Sequence, residues 1–184
     1  FEALRGQTRP INAGVIGMGV GTLAAYGREG DHFTFYELNP DIVKLAQEQF
    51  TFLSESQAEV TILVGDGRAR LERSPSNAPY DVLVIDAFSS DAIPTHLLTQ
   101  EAMSLYSARI TSLGRVAFHV TNRHLDLVPV VKALGVHAGL SAEVHHTPGV
   151  ATWVVLTGEA TSASQANTAS PWTDDFAPVW RALK

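Results

Sequence analysis

Three stretches of this sequence combine residue types and spacings that could do chemistry, and each stands at the end of an apolar run. In the first, Ala13-Gly14-Val15-Ile16 runs into Gly17-Met18-Gly19-Val20-Gly21-Thr22. Glycines at that density suit turns at unusual φ and let backbone amides come close to a ligand. A helix predicted to follow would add free N–H donors and a partial positive end. Twenty residues past Gly17, Glu37 closes the next apolar run. A carboxylate there can accept hydrogen bonds from both hydroxyls of a nucleoside ribose. The plainer reading makes Gly17, Gly19 and Gly21 turn residues and Glu37 a strand-end charge. Strand before, helix after and an acid in register favour ligand binding.

The second stretch is Val64-Gly65-Asp66-Gly67-Arg68. Asp66 is placed to accept a hydrogen bond from an adenine amino group, and equally to cap a helix beginning at Gly67; both can hold at once. The third runs from Tyr80 through Val82-Leu83-Val84-Ile85-Asp86 to Ser89-Ser90-Asp91-Ala92-Ile93-Pro94. Two carboxylates here, Asp86 and Asp91, would make a negative pocket beside the nucleoside. An amine with a pKa of about 10 arrives protonated and cannot attack. A carboxylate can bind the ammonium, take its proton directly or through water, and aim the lone pair. The other reading of Asp91 is a turn-forming loop residue; Asp86, pinned at a strand end, fits that reading less well.

The elements that must position these residues alternate almost from end to end. Strands are predicted at Ile11–Ile16, Phe33–Leu38, Glu59–Val64, Asp81–Ile85, Gly114–Val120, Ser141–His146 and Thr152–Thr157. Helical patterns lie at Val20–Gly27, Pro40–Phe50, Gly67–Arg73, Thr99–Ile110 and Leu125–Ala138. That rhythm predicts an α/β fold with a seven-stranded, mostly parallel sheet and helices on both faces. Only His146-Thr147-Pro148-Gly149-Val150 separates the last two strands, so they form a C-terminal antiparallel hairpin. Residues 1–160 would be the binding domain. Residues 161–184 would be a polar linker followed by a segment that docks through Trp172, Phe176, Val179 and Trp180.

Composition narrows the chemistry. The chain has 184 residues and no cysteine, which removes disulfides, thiolate metal sites and a cysteine nucleophile. A net charge of −6 leaves no basic excess for a nucleic-acid backbone. The histidines lack ligand-type spacing, so no metal is expected: His145 and His146 point to opposite faces of a strand, and His119 and His124 straddle a strand end. His119, Asn122 and His124 either border the crevice or, as polar strand-end residues usually do, solvate a loop, and His96 reads as lining a substrate entrance. Phe1–Gly6 reads as the last turn of a helix with a glycine cap, which predicts an upstream region that leaves room for a targeting signal or membrane attachment.

Gly-x-Gly-x-Gly is the spacing usual in adenosylmethionine-dependent folds; a dinucleotide fingerprint would need glycine where Thr22 stands. Gly17–Thr22, Tyr36-Glu37-Leu38-Asn39-Pro40, Gly65-Asp66-Gly67 and Asp86–Pro94 also occur in the order seen in spermidine synthases. From about Ile11 to Val120 the chain resembles that family of polyamine aminopropyltransferases, in its spermidine-synthase-like branch. The resemblance implies a Rossmann-like fold of the class I S-adenosylmethionine-dependent methyltransferase type. It implies that Glu37 holds the ribose, that Asp66 and Gly67 hold the adenine, and that Asp86 is the catalytic carboxylate with Asp91 in the second acidic role. It implies decarboxylated S-adenosylmethionine or S-adenosylmethionine as co-substrate with no tightly bound cofactor, a small amine as acceptor, a homodimer in the full-length protein, and a cytoplasmic location. The expected reaction is aminopropyl transfer to a di- or polyamine with release of methylthioadenosine. Methyl transfer, or a non-catalytic nucleoside-binding domain of a larger protein, are the alternatives. The sequence departs from the family in two ways. Its loop does not read Asp-Ser-Ser-Asp-Pro, since Asp91 lies five beyond Asp86 and Ala92-Ile93 precede Pro94. The family's N-terminal β-hairpin domain is absent from this chain.

Overall fold

A computed structural model of the chain describes residues 9–74, 78–88, 93–158 and 170–184. Seven strands form one sheet: β1 (Asn12–Ile16), β2 (His32–Glu37), β3 (Glu59–Val64), β4 (Tyr80–Ile85), β5 (Ile110–His119), β6 (Ser141–Thr147) and β7 (Ala151–Thr157). Their spatial order is β3-β2-β1-β4-β5-β7-β6. The first five run parallel, and β7 lies antiparallel between β5 and β6. This is the Rossmann-like methyltransferase fold, with the closing hairpin predicted from Pro148-Gly149. Strand order reverses between β1 and β4, and the crevice of such a sheet opens at the carboxyl ends there.

Strand burial follows position. β4, at the sheet centre, is buried at every residue, as a continuous Val-Leu-Val-Ile run requires when both faces are covered. Side chains alternate between two cores. Ile16, Leu83 and Ile85 pack with residues of α2 (Gly67–Arg73), α3 (Gln100–Arg109) and α4 (Val128–His137). Val15, Phe33, Phe35, Val82 and Val84 pack with Ile42, Val43 and Ala46 of α1 (Pro40–Gln49). Asn39 caps α1, its side chain accepting the Asp41 N–H at 2.9 Å, and Thr99 caps α3.

One predicted helix is different. Val20–Gly27 holds only a five-residue 3-10 helix, Thr22–Tyr26. Gly21 enters it with φ +83, and Gly27 ends it so close to Ala58 that a Cβ would lie 2.5 Å from that side chain. So short a helix carries little macrodipole, and the positive end of this loop rests on its individual amides.

The far end of the sheet is tied structurally. Buried Asp31 accepts the amides of Ile11 and Arg28, and buried Asp81 takes two bonds from Arg9 and one from the Asn12 amide. Burial pushes the Asp81 carboxyl up, but Arg9 and the Asn12 amide outweigh it and hold the group below its ordinary value. In the C-terminal segment Trp172 is buried, and its carbonyl accepts the Gln100 N–H at 2.8 Å. Phe176 and Trp180, expected to dock beside it, are exposed and meet edge-on with ring centroids 6.1 Å apart. The predicted linker lies largely outside the described residues. Among the described residues no helix is long and apolar enough to cross a membrane.

Candidate active site

The tips of β1, β2, β3 and β4 are stitched together before any side chain contributes. Gly17 N–H donates to the Tyr36 carbonyl, Gly65 N–H to that of Glu37 and Asp86 N–H to that of Ile16, each at 2.8 Å. Gly17 has φ +91, and a Cβ there would overlap the Asp86 carbonyl group, so only glycine lets the chain turn at this point. Above these tips opens a cleft of about 540 Å³, whose lining includes Gly17–Val20, Glu37, Asp66, Gly67, Asp86, Phe88, His96 and His119.

Glu37 is the best-fixed acid of the cleft. It is buried, with one oxygen accepting the Met18 N–H at 3.0 Å and the other the Asn39 N–H at 2.9 Å. An ionised carboxylate has about four acceptor positions, so two remain for a ligand's hydroxyls. The glycines divide the work unequally. The Gly17 amide is spent on the sheet and the Gly21 amide on the Met18 carbonyl. The amides of Gly19 and Val20 meet no protein acceptor among the described residues, and both residues line the cleft.

Asp66 has the capping role: its Oδ1 accepts the Ala69 N–H at 2.8 Å at the start of α2. Its Oδ2 lies 3.3 Å from His96 Nε2. His96, read from sequence as an entrance residue, thus stands at the Asp66 end of the cleft. Gly67 lets α2 approach the floor, since a Cβ would come within 2.6 Å of Ile16 Cγ2. Beyond it Arg68 reaches Asp174 through two bonds of 2.7 Å, and Thr99 donates to the same carboxylate at 2.7 Å. These bonds, Arg68's first, draw the Asp174 carboxyl down to about 2. Its main-chain amide also donates to Glu101, so this clasp fastens the C-terminal segment to the turn bearing His96.

Asp86 is the second acid pole. Its Oδ1 lies 2.7 Å from His119 Nδ1, and Thr121 Oγ1 lies 2.8 Å from His119 Nε2. The imidazole stacks on Trp153 with centroids 4.4 Å apart and planes 7° from parallel, and Phe88 meets it edge-on at 5.1 Å. Strand register brings the pair together: Ile85 is paired with Phe118, and Asp86 and His119 each come one residue later. Of the two sequence readings of His119, crevice border and loop solvation, the first holds, since the residue lines the cleft; its bond to Asp86 is new. The signal was present in the adjacency of two parallel strand tips, one ending in Asp and the other in His. Asp91, the other expected acid, lies outside the described residues. Among those described, no group of three His, Asp or Glu could hold a metal ion.

The comparisons with known proteins agree with this architecture. No family model matches the chain. It is 27% identical over 110 residues to a polyamine aminopropyltransferase of Vibrio vulnificus, covering 58% of this chain and 36% of that one. It is 36% identical over 113 residues to an N-terminal histidine N-methyltransferase of Emericella nidulans, covering 59% of this chain and 19% of that one. The chain therefore spans about a third and a fifth of the curated relatives it matches. The crystal structure of human methyltransferase-like protein 13 in complex with SAH superposes with a TM-score of 0.68 at 20% identity, over 84% of this chain and 74% of that one. This chain shares a methyltransferase fold with that protein.

Proposed function

We propose that this chain is the donor-binding and catalytic domain of a transferase that moves an aminopropyl group from decarboxylated S-adenosylmethionine to a di- or polyamine. One observation carries the choice of donor. Among the described residues, the cleft is lined by three carboxylates, Glu37, Asp66 and Asp86, and by no lysine or arginine. Intact S-adenosylmethionine brings a carboxylate of its own into that field. At ~8 Å and an effective dielectric near 20, each repulsion would cost about 2 kcal/mol. The decarboxylated donor brings only positive charge, and so does the amine acceptor.

In this reading Glu37 accepts from the ribose hydroxyls, the Gly19 and Val20 amides lie along the donor, and Asp66 with Gly67 borders the adenine. Asp86 holds the acceptor ammonium, takes its proton directly or through one water, and turns the nitrogen lone pair toward the methylene carbon bonded to sulfur. The C–N bond forms, the C–S bond breaks, and its electron pair returns to sulfur, leaving methylthioadenosine. The sulfonium is already activated, so no covalent nucleophile is needed.

The identity to an N-methyltransferase supports a second reading, methyl transfer from intact S-adenosylmethionine in the same cleft. Side-by-side calorimetry with methylthioadenosine, S-adenosylmethionine and its decarboxylated form separates the two, combined with product analysis on several amines. About tenfold or greater preference for the decarboxylated donor, with an aminopropylated amine formed, is expected. Tighter binding of the carboxylate-bearing donor together with a methylated product would replace the first reading by the second. Donor binding with neither product would leave a nucleoside-binding domain.

A further inference from the structure

The geometry points to His119 as the positioning residue for Asp86, an assignment that rests on the catalytic role proposed for that carboxylate. With Asp86 ionised and the His119 ring neutral, hydrogen-bond chemistry leaves one arrangement of protons. An ionised carboxylate only accepts, so the contact at 2.7 Å requires His119 Nδ1 to carry the hydrogen. In the neutral ring Nε2 must then accept, and the Thr121 hydroxyl lies 2.8 Å away. That hydroxyl oxygen accepts the Thr152 main-chain N–H at 2.7 Å, and its own hydrogen is the donor an unprotonated Nε2 needs. Direction is thus set from backbone to carboxylate: Thr152 N–H to Thr121, Thr121 O–H to His119, His119 N–H to Asp86.

The ring cannot easily turn out of this line. His119 and Trp153 are a cross-strand pair on β5 and β7, and their rings stack face to face, with Phe88 against the edge. A half-turn of the imidazole would bring carbon atoms to both Asp86 and Thr121 and lose both bonds. With Oδ1 held in this way, Asp86 Oδ2 has no partner among the described residues, and the side chain lines the cleft. His119 therefore decides which oxygen meets the acceptor and from what angle. Glu37 receives a main-chain amide on each oxygen and Asp66 a main-chain amide on one, with His96 beside the other, whereas Asp86 takes its orienting bond from a side chain.

The test has two independent arms on the full chain. Long-range ¹H–¹⁵N correlation spectra at neutral pH, with His119 assigned by its loss in H119F, should show a protonated Nδ1 and an unprotonated Nε2. Asp86→Asn should weaken that pattern. In transfer assays with decarboxylated S-adenosylmethionine and a diamine, H119F keeps a ring against Trp153 but lacks the donor. It should lower kcat by about 10–100-fold, the range for loss of a group that orients a reacting one, with the donor KM within twofold. H119N, whose amide N–H can stand in for Nδ1–H, should recover most of that loss, which a purely structural role of the ring would not produce. An Nε2-protonated ring indifferent to Asp86→Asn would overturn the proposal. So would wild-type kcat in H119F, or an H119N as slow as H119F. If the wild-type chain transfers no group, the catalytic reading of Asp86 fails while the spectra still decide the positioning.

Discussion

The two halves of the cleft are built by different means. On the β1–β2 side Glu37 is buried and receives one main-chain amide on each oxygen, and Gly19 and Val20 line the cleft beside it. On the β4–β5 side Asp86 is more open, and a histidine rather than the backbone holds one of its oxygens. Backbone amides are fixed wherever the fold is fixed, so the first half exists once the sheet has formed. The second depends on three side chains, His119, Thr121 and Trp153, taking one arrangement. A rigid surface suits a constant nucleoside. A carboxylate with one oxygen held and one open suits a group that must bind a cation and then accept its proton.

The largest expected effect strikes the rigid half. Glu37→Ala removes the acceptor proposed for two ribose hydroxyls and strands the Met18 and Asn39 amides. Hydrogen bonds to a charged group are worth about 1.5–3 kcal/mol each, so donor affinity should fall by ~100-fold or more. Calorimetry with methylthioadenosine measures it. Affinity within threefold of wild type would mean that Glu37 only braces the loop. Asp86→Asn should behave in the opposite way. Donor affinity should stay within about twofold, while turnover falls by ~100-fold, the range for loss of a positioned acid–base group. Equal losses of binding and turnover in both variants would dissolve the distinction between the halves.

How far this division could be read from sequence differs by element. The parallel sheet and the hairpin were legible because buried strands read as apolar runs and Pro148-Gly149 marks a turn. The positions of the Gly17–Gly21 loop, Asp66 and Asp86 just past strands, and of Glu37 at the end of one, were legible from the apolar runs that precede them. The helix expected at Val20–Gly27 failed because Gly21 takes φ +83 and delays the start to Thr22, leaving only a 3-10 helix of five residues before Gly27. The pairing of His119 with Asp86 was not legible because it arises only when β5 is placed beside β4 in register. Phe176 and Trp180 misled because aromatic residues near a chain end resemble an anchor, whereas Trp172 alone of the three is buried.

A smaller effect is expected from Asp66, whose two oxygens serve different neighbours. Asp66→Asn keeps a good capping side chain for the Ala69 amide but removes the charge beside His96. Stability should change by only a few tenths of a kcal/mol. Donor affinity should fall by less than tenfold, because one neutral acceptor can still meet an adenine amino group. A loss as large as that of Glu37→Ala would place the main anchor at the β3 tip and redraw the boundary of the rigid half.

The smallest effect tests whether the rigid half needs its outer clasp. Arg68 and Thr99 hold the Asp174 carboxyl near 2, below the value of about 3.9 for an unstructured aspartate. A carboxyl depressed by folding contributes stability that is fully present above its unfolded pKa and is lost as pH falls through the folded one. The contribution should therefore be constant above about pH 5 and fade between about 4 and 2. Because Asp174 is partly exposed, solvent screens the pair and the whole contribution is modest. Thermal melts of wild type and Asp174→Asn should differ by a fixed margin at neutral pH and converge as the pH approaches 2. At neutral pH the variant should bind methylthioadenosine only about two- to threefold less tightly, since the clasp acts on the donor through the His96 turn alone. A gap in melting temperature that persists at pH 2 would mean that the ion pair does not fasten the segment. Loss of Asp86-dependent turnover with intact donor binding would place the clasp's influence on the side-chain-built half instead.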